Sequence, residues 1–376
     1  MKILYHHRIA SKDGQYVHVE ELTNALMEQG NDIVFVAPGL TQQSSFGHDG
    51  GVVTKLKKML PQAVYELLEL SYSALIAYKL VREILRSRPD FIYERYNTYQ
   101  PMGVIISKLF KIPLLLEVNA PLVDERIKHS GLSLVWLAKK IERFTWKNAT
   151  RVFPVTNVLA DILITEGVKK ENIEVIHNGI NENVLESVFK NEKNASDDVL
   201  VIGFVGFINK WHRLDLAIEA ISSFPDMSIR LVCVGDGDIR SDLEAQSKRL
   251  GLEDKILFTG LKSRDEVFDY IKDFDIALQP SVTPYASPLK LFEYLSAGCL
   301  VIAPRSENIC EVLNDGNSIL FDPDNYEDFY KKLYSSIESF NEMKAVQVMA
   351  KQTIYDGGYT WQQNARRVVN MAKSVI

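Results

Sequence analysis

The chain has 376 residues, 46% of them hydrophobic and 24% charged, which suits a globular protein more than twice the usual size of one domain. Its net charge of −6 is unevenly divided: residues 1–185 carry 22 basic and 20 acidic side chains (+2), and the remainder 21 and 29 (−8). No basic stripe of the kind a nucleic-acid binder shows is present, and Cys233, Cys299 and Cys310 are too few and too scattered for a disulfide framework or a metal site.

Taken in chain order, residues 1–8 hold no apolar run long enough for a signal peptide. The apolar stretches 72–80 and 132–137 fall short of the roughly 18 residues that span a bilayer. A cytoplasmic protein is expected. Residues 2–5, 32–37, 90–94, 113–118 and 151–155 read as short strands of continuous apolar character, the pattern of parallel strands covered on both faces. Helical stretches lie between them. In 17–29, for example, Val17, Leu22, Ala25 and Leu26 recur at helical spacing and Gly30 follows the end.

Residues 52–88 combine Lys55, Lys57 and Lys58 with an apolar pattern through Leu60, Val64, Leu67, Leu68 and Leu75. An ordinary core helix is the first expectation, and weak peripheral contact with the inner face of a membrane is the alternative. A polar run over 190–198 marks an interdomain linker, set at 186–198.

A second series of strands follows at 199–205, 228–234, 256–259, 276–278 and 300–303, separated by helices at 214–221, 239–250, 264–272 and 289–297. The fold class is therefore α/β, with two Rossmann-like doubly wound parallel-sheet domains, 1–185 and 199–359, and ligands at the carboxyl ends of the strands facing a central cleft. Residues 360–376 read as a last amphipathic helix that returns to the first domain.

The segment Tyr285-Ala286-Ser287-Pro288-Leu289-Lys290-Leu291-Phe292-Glu293-Tyr294-Leu295-Ser296-Ala297-Gly298 carries the most chemistry. Ser287 suits an N-cap and Pro288 the first helical position, where its missing N–H costs nothing. Free first-turn amides and the helix dipole favour phosphate, and Lys290 adds a cation. Glu293 shares its helix face and could accept two hydrogen bonds from a ribose diol. The bland reading is a Lys290–Glu293 pair on a solvated face.

Ser287-Pro288-Leu289-Lys290-Leu291-Phe292-Glu293-Tyr294 with Ala297-Gly298 resembles the donor-binding motif of the retaining glycosyltransferases of family 4, which have the GT-B fold. Gly203-Phe204-Val205-Gly206 with Trp211-His212, Val234-Gly235-Asp236-Gly237, Phe258-Thr259-Gly260 and His177-Asn178-Gly179-Ile180 resemble that family's other landmarks in order. In the first half, Tyr93-Glu94-Arg95-Tyr96 and Leu116-Glu117-Val118-Asn119 resemble a subset of its members.

The resemblance implies a hexosyltransferase that retains the anomeric configuration by a front-face displacement, so that stabilising the leaving diphosphate is the main catalytic task. Its partners would be a nucleotide-sugar donor and a hydroxyl acceptor, with no cofactor and no metal. By the same resemblance Glu293 holds the ribose, while the loop through Ser287, Pro288 and Leu289 places its free backbone amides on the diphosphate beside Gly206. The family's first motif glutamate falls on Tyr285. Its usual arginine and lysine fall on Phe207 and His212, leaving His212 and Arg213 as phosphate contacts; a helix-capping His212 and a surface Arg213 are their bland readings. Gly14 lies in the glycine-rich turn, and Asn119 stands where a histidine touches the transferred sugar. His18, Arg95 and Glu117 fall on the acceptor side, with a buried Glu94–Arg95 pair as the alternative. Gly235 and Gly237 read as a tight turn, since a dinucleotide fingerprint would need a third glycine. Rival readings are a nucleotide-sugar epimerase of this fold, a two-domain binding protein, and a catalytically degenerate partner subunit.

Overall fold

A computed structural model describes residues 1–10, 14–38, 60–189 and 199–376. It divides into two compact units, Met1–His177 with Gln362–Ile376, and Asn178–Trp361.

The first unit is built on five parallel strands: β1 (Lys2–His6), β2 (Asp32–Val36), β3 (Phe91–Arg95), β4 (Leu114–Val118) and β5 (Arg151–Pro154). They are ordered β2-β1-β3-β4-β5, so the chain reverses direction between β1 and β3. Every side chain of β3 and β4 is buried, which is why Phe91-Ile92-Tyr93 and Leu114-Leu115-Leu116 run apolar without alternation, and Glu94, Arg95 and Glu117 are buried beyond them. The register sets Tyr5 beside Tyr93, and Arg95 beside Glu117. The final helix, Trp361–Lys373, is tied to this unit by polar bonds. Gln29 Nε2 donates to Gln362 O at 2.7 Å, and Asn364 Nδ2 donates to His177 O at 2.8 Å.

The second unit holds β6 (Leu200–Val205), β7 (Ile229–Val234), β8 (Ile256–Phe258), β9 (Ile276–Leu278), β10 (Leu300–Pro304) and β11 (Ile319–Phe321), ordered β11-β10-β9-β6-β7-β8. One apolar cluster includes Phe204, Ile218 and Leu333, and a second includes Val205, Phe292 and Leu295; the alternation of Phe204 and Val205 between them follows from the strand period of two. Gly203 is obligatory in β6, because a Cβ there would stand 2.0 Å from the Phe274 ring.

Three sequence expectations shift here. The three-residue β11 adds a strand that the pattern reading left out. Residues 178–185, expected in the first domain, group with the second unit: Ile180 bridges Thr360, and the Asn178 side chain bonds to Ser287 O. Within the expected linker, residues 186–189 continue the Glu182–Phe189 helix, and 190–198 lie outside the described residues.

The Gln62–Ser87 helix packs inward through Ile76, Leu80 and Ile84, as a core helix does, but not through the apolar residues the pattern singled out. It buries Glu66 completely and leaves Val64, Leu67, Leu68, Leu75 and Tyr78 exposed, Leu75 at 59% and Tyr78 at 67%. Glu66 accepts hydrogen bonds from Tyr99 Oη (2.9 Å), Ser133 N (2.7 Å) and Leu134 N (2.7 Å), the last two at the start of the Val135–Asn148 helix. A carboxylate serving otherwise orphaned amides tolerates burial, and it turns the leucines outward. Lys55, Lys57 and Lys58 lie outside the described residues.

Candidate donor site and its relatives

In the six-stranded sheet the strand order reverses between β6 and β9, so the loops following these two strands leave side by side at their carboxyl ends. Crevices at such reversals are where open α/β sheets bind ligands.

The loop after β6 begins at Gly206 with φ +127°, a conformation that a side chain would strain. A Cβ at Gly206 would also stand 3.2 Å from Lys290 Nζ. The loop is fastened to its neighbour after β7: Gly206 N donates to Val234 O (3.0 Å) and Ile208 N to Asp236 O (2.8 Å). Gly235 and Gly237 permit that approach, since their Cβ atoms would fall 2.1 and 2.3 Å from the carbonyl oxygens of Gly206 and Ile208. The pair is a tight backbone contact.

The loop after β9 is held by two asparagines. Asn308 Nδ2 donates to Thr283 O (3.1 Å) and Ala286 O (2.7 Å). Asn178 donates from its backbone N to Ser287 Oγ (3.2 Å) and from Nδ2 to Ser287 O (2.6 Å). Ser287 therefore does not cap the helix. The helix runs Leu289–Ala297, with Pro288 at the N-cap rather than in the first turn, and no side chain caps it. Its first amides are left open, as an anion site requires. The helix is pinned to β6 through Val205 N, which donates to Tyr294 Oη at 2.8 Å, and it ends on Gly298 at φ +72°. Tyr285 lies half-buried at the start of this segment.

Lys290 and His212 converge on Phe204. Lys290 Nζ sits 3.9 Å from the centre of the Phe204 ring, and the His212 ring meets the same ring edge-on at 5.3 Å. Lys290 Nζ and His212 Nδ1 are both buried without a hydrogen-bond partner among the described residues. Burial lowers the Lys290 ammonium to about 7, with the Glu293 charge opposing. Burial, together with the Lys290 charge, pushes His212 down to about 2, although it keeps a hydrogen bond to the Phe207 backbone. An ordinary imidazole titrates near neutrality, but burial leaves His212 a neutral polar group, and Lys290 is the group here brought near neutrality.

For Glu293 the bland reading of a solvated pair with Lys290 is the one that falls. It is 3% exposed, and its Oε1 accepts from Arg264 Nη1, so it is neither solvated nor paired chiefly with Lys290. Arg213 is committed elsewhere. It adopts φ +54°, donates from Nε and Nη2 to Asp215 at 3.0 Å, and lies over the Tyr326 ring. That arrangement fixes the start of the Leu214–Ser222 helix and leaves Arg213 occupied rather than directed at a phosphate.

The sequence also contains three Asp-x-Asp triplets, at Asp236–Asp238, Asp273–Asp275 and Asp322–Asp324, which the metal-free expectation must accommodate. Their carboxylates serve local structure: Asp236 accepts from Gly237 N (2.8 Å), Asp275 from Val201 N (2.8 Å), and Asp322 from Asp324 N (3.2 Å).

In the first unit, four of the singled-out residues meet around one carboxylate. Glu117, 2% exposed, accepts from Arg95 Nη1, Asn119 Nδ2 and Tyr93 Oη (2.9 Å), with His18 Nε2 at 3.2 Å. Burial alone would raise the Glu117 carboxyl, but His18, the Arg95 guanidinium and the bonds it accepts hold it well below the usual carboxylate range. Arg95 thus pairs with Glu117 and not with Glu94, which instead bonds to His6 Nδ1 at 2.7 Å. Gly14 is the exposed first residue of the Gly14–Glu28 helix, apart from this cluster in the contacts shown.

Sequence reasoning missed Arg264, Asn308 and the role of Asn178. Asn178 lay within a motif already singled out; Arg264 offered no signal, because its partner is 29 residues away.

The two halves of the chain match two known families: residues 12–184 match Glycosyltransferase Family 4, and residues 186–353 match Glycosyl transferases group 1. Each half of the chain is thus similar to a glycosyltransferase domain family, and the two matches together support a GT-B glycosyltransferase of this family 4 and group 1 type. Relatives include an uncharacterised glycosyltransferase of Methanocaldococcus jannaschii, 25% identical over 54% of each chain. A 2-deoxystreptamine glucosyltransferase of Streptomyces kanamyceticus is 28% identical over 48% of this chain and 50% of its own. The aligned region spans about half the length of these two curated relatives. N-acetyl-alpha-D-glucosaminyl L-malate synthase of Bacillus anthracis is 22% identical over 82% of this chain and 80% of its own. Among solved structures, Anabaena HepE in complex with UDP superposes with a TM-score of 0.75 at 18% identity, covering all of both chains. Sucrose-phosphate synthase of Thermosynechococcus elongatus gives 0.77 at 13%, covering 100% and 99%. These likenesses establish the GT-B fold.

Proposed function

We propose that the chain transfers a hexose-type sugar, with retention of configuration, from a nucleoside-diphosphate sugar to a hydroxyl of a glycan, lipid-linked or small-molecule acceptor. The observation that carries this reading is Lys290, a buried ammonium with no partner among the described residues, beside the uncapped start of a nine-residue helix. A buried cation and open amides are unfavourable alone and favourable around a diphosphate. HepE, which shares the fold, was solved with UDP and with UDP-glucose, and that supports a nucleotide-sugar donor.

In this reading the developing charge on the leaving diphosphate falls on Lys290, the Leu289 and Lys290 amides and neutral His212, with Glu293 on the ribose and no metal required. The family resemblance assigns Asn119, which donates to Glu117, to the transferred sugar, and His18, Arg95 and Glu117 to the acceptor. Melting-temperature shifts with UDP-, GDP-, ADP- and TDP-sugars test the donor site: a ligand at 100 times its dissociation constant stabilises by roughly 2.7 kcal/mol. A shift lost in Lys290→Met supports the reading, and no shift with any of the four refutes it. Nucleoside-diphosphate release that occurs only when an acceptor is supplied, with the sugar recovered on that acceptor, separates transfer from epimerisation.

The exposed row Val64, Leu67, Leu68, Leu75 and Tyr78 supports peripheral membrane contact through the Gln62–Ser87 helix. No helix among the described residues is long and apolar enough to cross a membrane. Flotation with anionic vesicles at low salt tests the contact. Co-migration lost in a Leu67→Ser/Leu68→Ser/Leu75→Ser variant is expected, and failure of the wild type to co-migrate overturns it.

A further inference from the structure

We infer that Arg264 is a positioning residue for the donor's ribose: it engages one oxygen of Glu293 and leaves the other to accept from the sugar diol. This rests on the proposed donor site. A carboxylate as buried as Glu293 needs a charged partner, and Lys290, three residues earlier, is turned toward Phe204 instead. Arg264 fills that need from a different helix. Its guanidinium donates to Glu293 Oε1 and lies 4.5 Å from the centre of the Phe268 ring, one turn further along its own helix.

The backbone that carries it is fixed as well. Arg264 is the first residue of the Arg264–Asp273 helix, whose start is closed by a capping box: Ser263 Oγ accepts from Glu266 N, and Glu266 Oε2 accepts from Ser263 N at 2.9 Å. A guanidinium is permanently charged, planar and rigid in its donor directions, so held between a ring and a carboxylate it sets the carboxylate plane before any ligand arrives. A lone glutamate would rotate about its terminal torsion and offer either oxygen.

Action of Arg264 on the ribose through Glu293 is what a double-mutant cycle detects. Calorimetry uses whichever of UDP, GDP and ADP shifts melting most, together with its 2′-deoxy form, on full-length Arg264→Met, Glu293→Gln and the double variant. Each single variant is expected to weaken the ribose form about tenfold, roughly the worth of one hydrogen bond to a charged group, and to leave the 2′-deoxy form within about twofold. The double variant is expected to be no weaker than Glu293→Gln, and Arg264→Lys to recover most of the loss. Losses that multiply in the double variant, or an Arg264→Met that weakens both sugar forms equally, overturn the inference. A Glu293→Gln that keeps full ribose preference overturns the ribose reading itself. If Arg264→Met does not fold, Arg264→Gln, which retains a hydrogen bond without the charge, replaces it in the cycle.

Discussion

The buried ammonium of Lys290 makes donor binding a proton-linked event. In the free protein burial holds Lys290 at about 7, against an ordinary value of 10.5. The groups facing it are the Phe204 ring, His212 and Glu293; Glu293 and the ring face favour its charge, and burial outweighs both. A bound diphosphate places anionic oxygens beside Nζ and raises its pKa. The complex then binds more protons than the free protein, and affinity falls as pH rises through the free-state value. If the complex restores the ordinary value, the dissociation constant for a nucleoside diphosphate grows ~50-fold between pH 7 and 9, equivalent to ~2.3 kcal/mol. His212, pushed down to about 2, stays neutral across this window and adds no slope. Titration calorimetry at pH 7, 8 and 9, in buffers of different ionisation enthalpy, measures both the slope and the proton taken up. Lys290→Arg, charged throughout, flattens the profile. A dissociation constant that stays within about twofold across this range in the wild type, or a slope that survives in Lys290→Met, refutes the reasoning.

Three further outcomes follow from the geometry. Tyr294→Phe leaves the buried Val205 amide without its acceptor and lowers unfolding stability by about 1–3 kcal/mol, read by chemical denaturation. Asn178→Ala removes the side-chain bond to Ser287 O while the backbone bond to Ser287 Oγ survives, and raises the donor KM several-fold with little change in kcat, which steady-state kinetics resolves. Glu117, depressed in the fold below its ordinary 4.5, contributes stability that is complete above that value and fades as pH falls through its folded pKa; Glu117→Gln removes that acid-limb slope in denaturation measured from pH 6 to 3.

Much of the architecture was legible beforehand. Strands covered on both faces favour apolar residues without alternation, so Phe91-Ile92-Tyr93 of β3, Leu114-Leu115-Leu116 of β4 and all of β9 stood out as short continuous runs, and Gly298 marked the end of the donor helix because the chain must turn left-handed there. The Gln62–Ser87 helix was misread because periodicity reports which residues share a face but not which face is covered. The buried Glu66, satisfied by Ser133 and Leu134, decided that.

The donor segment shows the same division. Its residue types and spacing pointed to an anion-binding helix start with a carboxylate on the same face, since open amides, a cation and an acid have chemistry that does not depend on where the chain goes next. What each does was decided by partners brought in from afar. Asn178, 109 residues before Ser287, takes the serine away from the cap, and Arg264 takes one oxygen of Glu293. Phe204 lies under Lys290 and against His212, and the burial there, not the residue types, leaves the histidine neutral and brings the lysine to the edge of charge. Desolvation is a property of the packed neighbourhood, so no local stretch of sequence contains it.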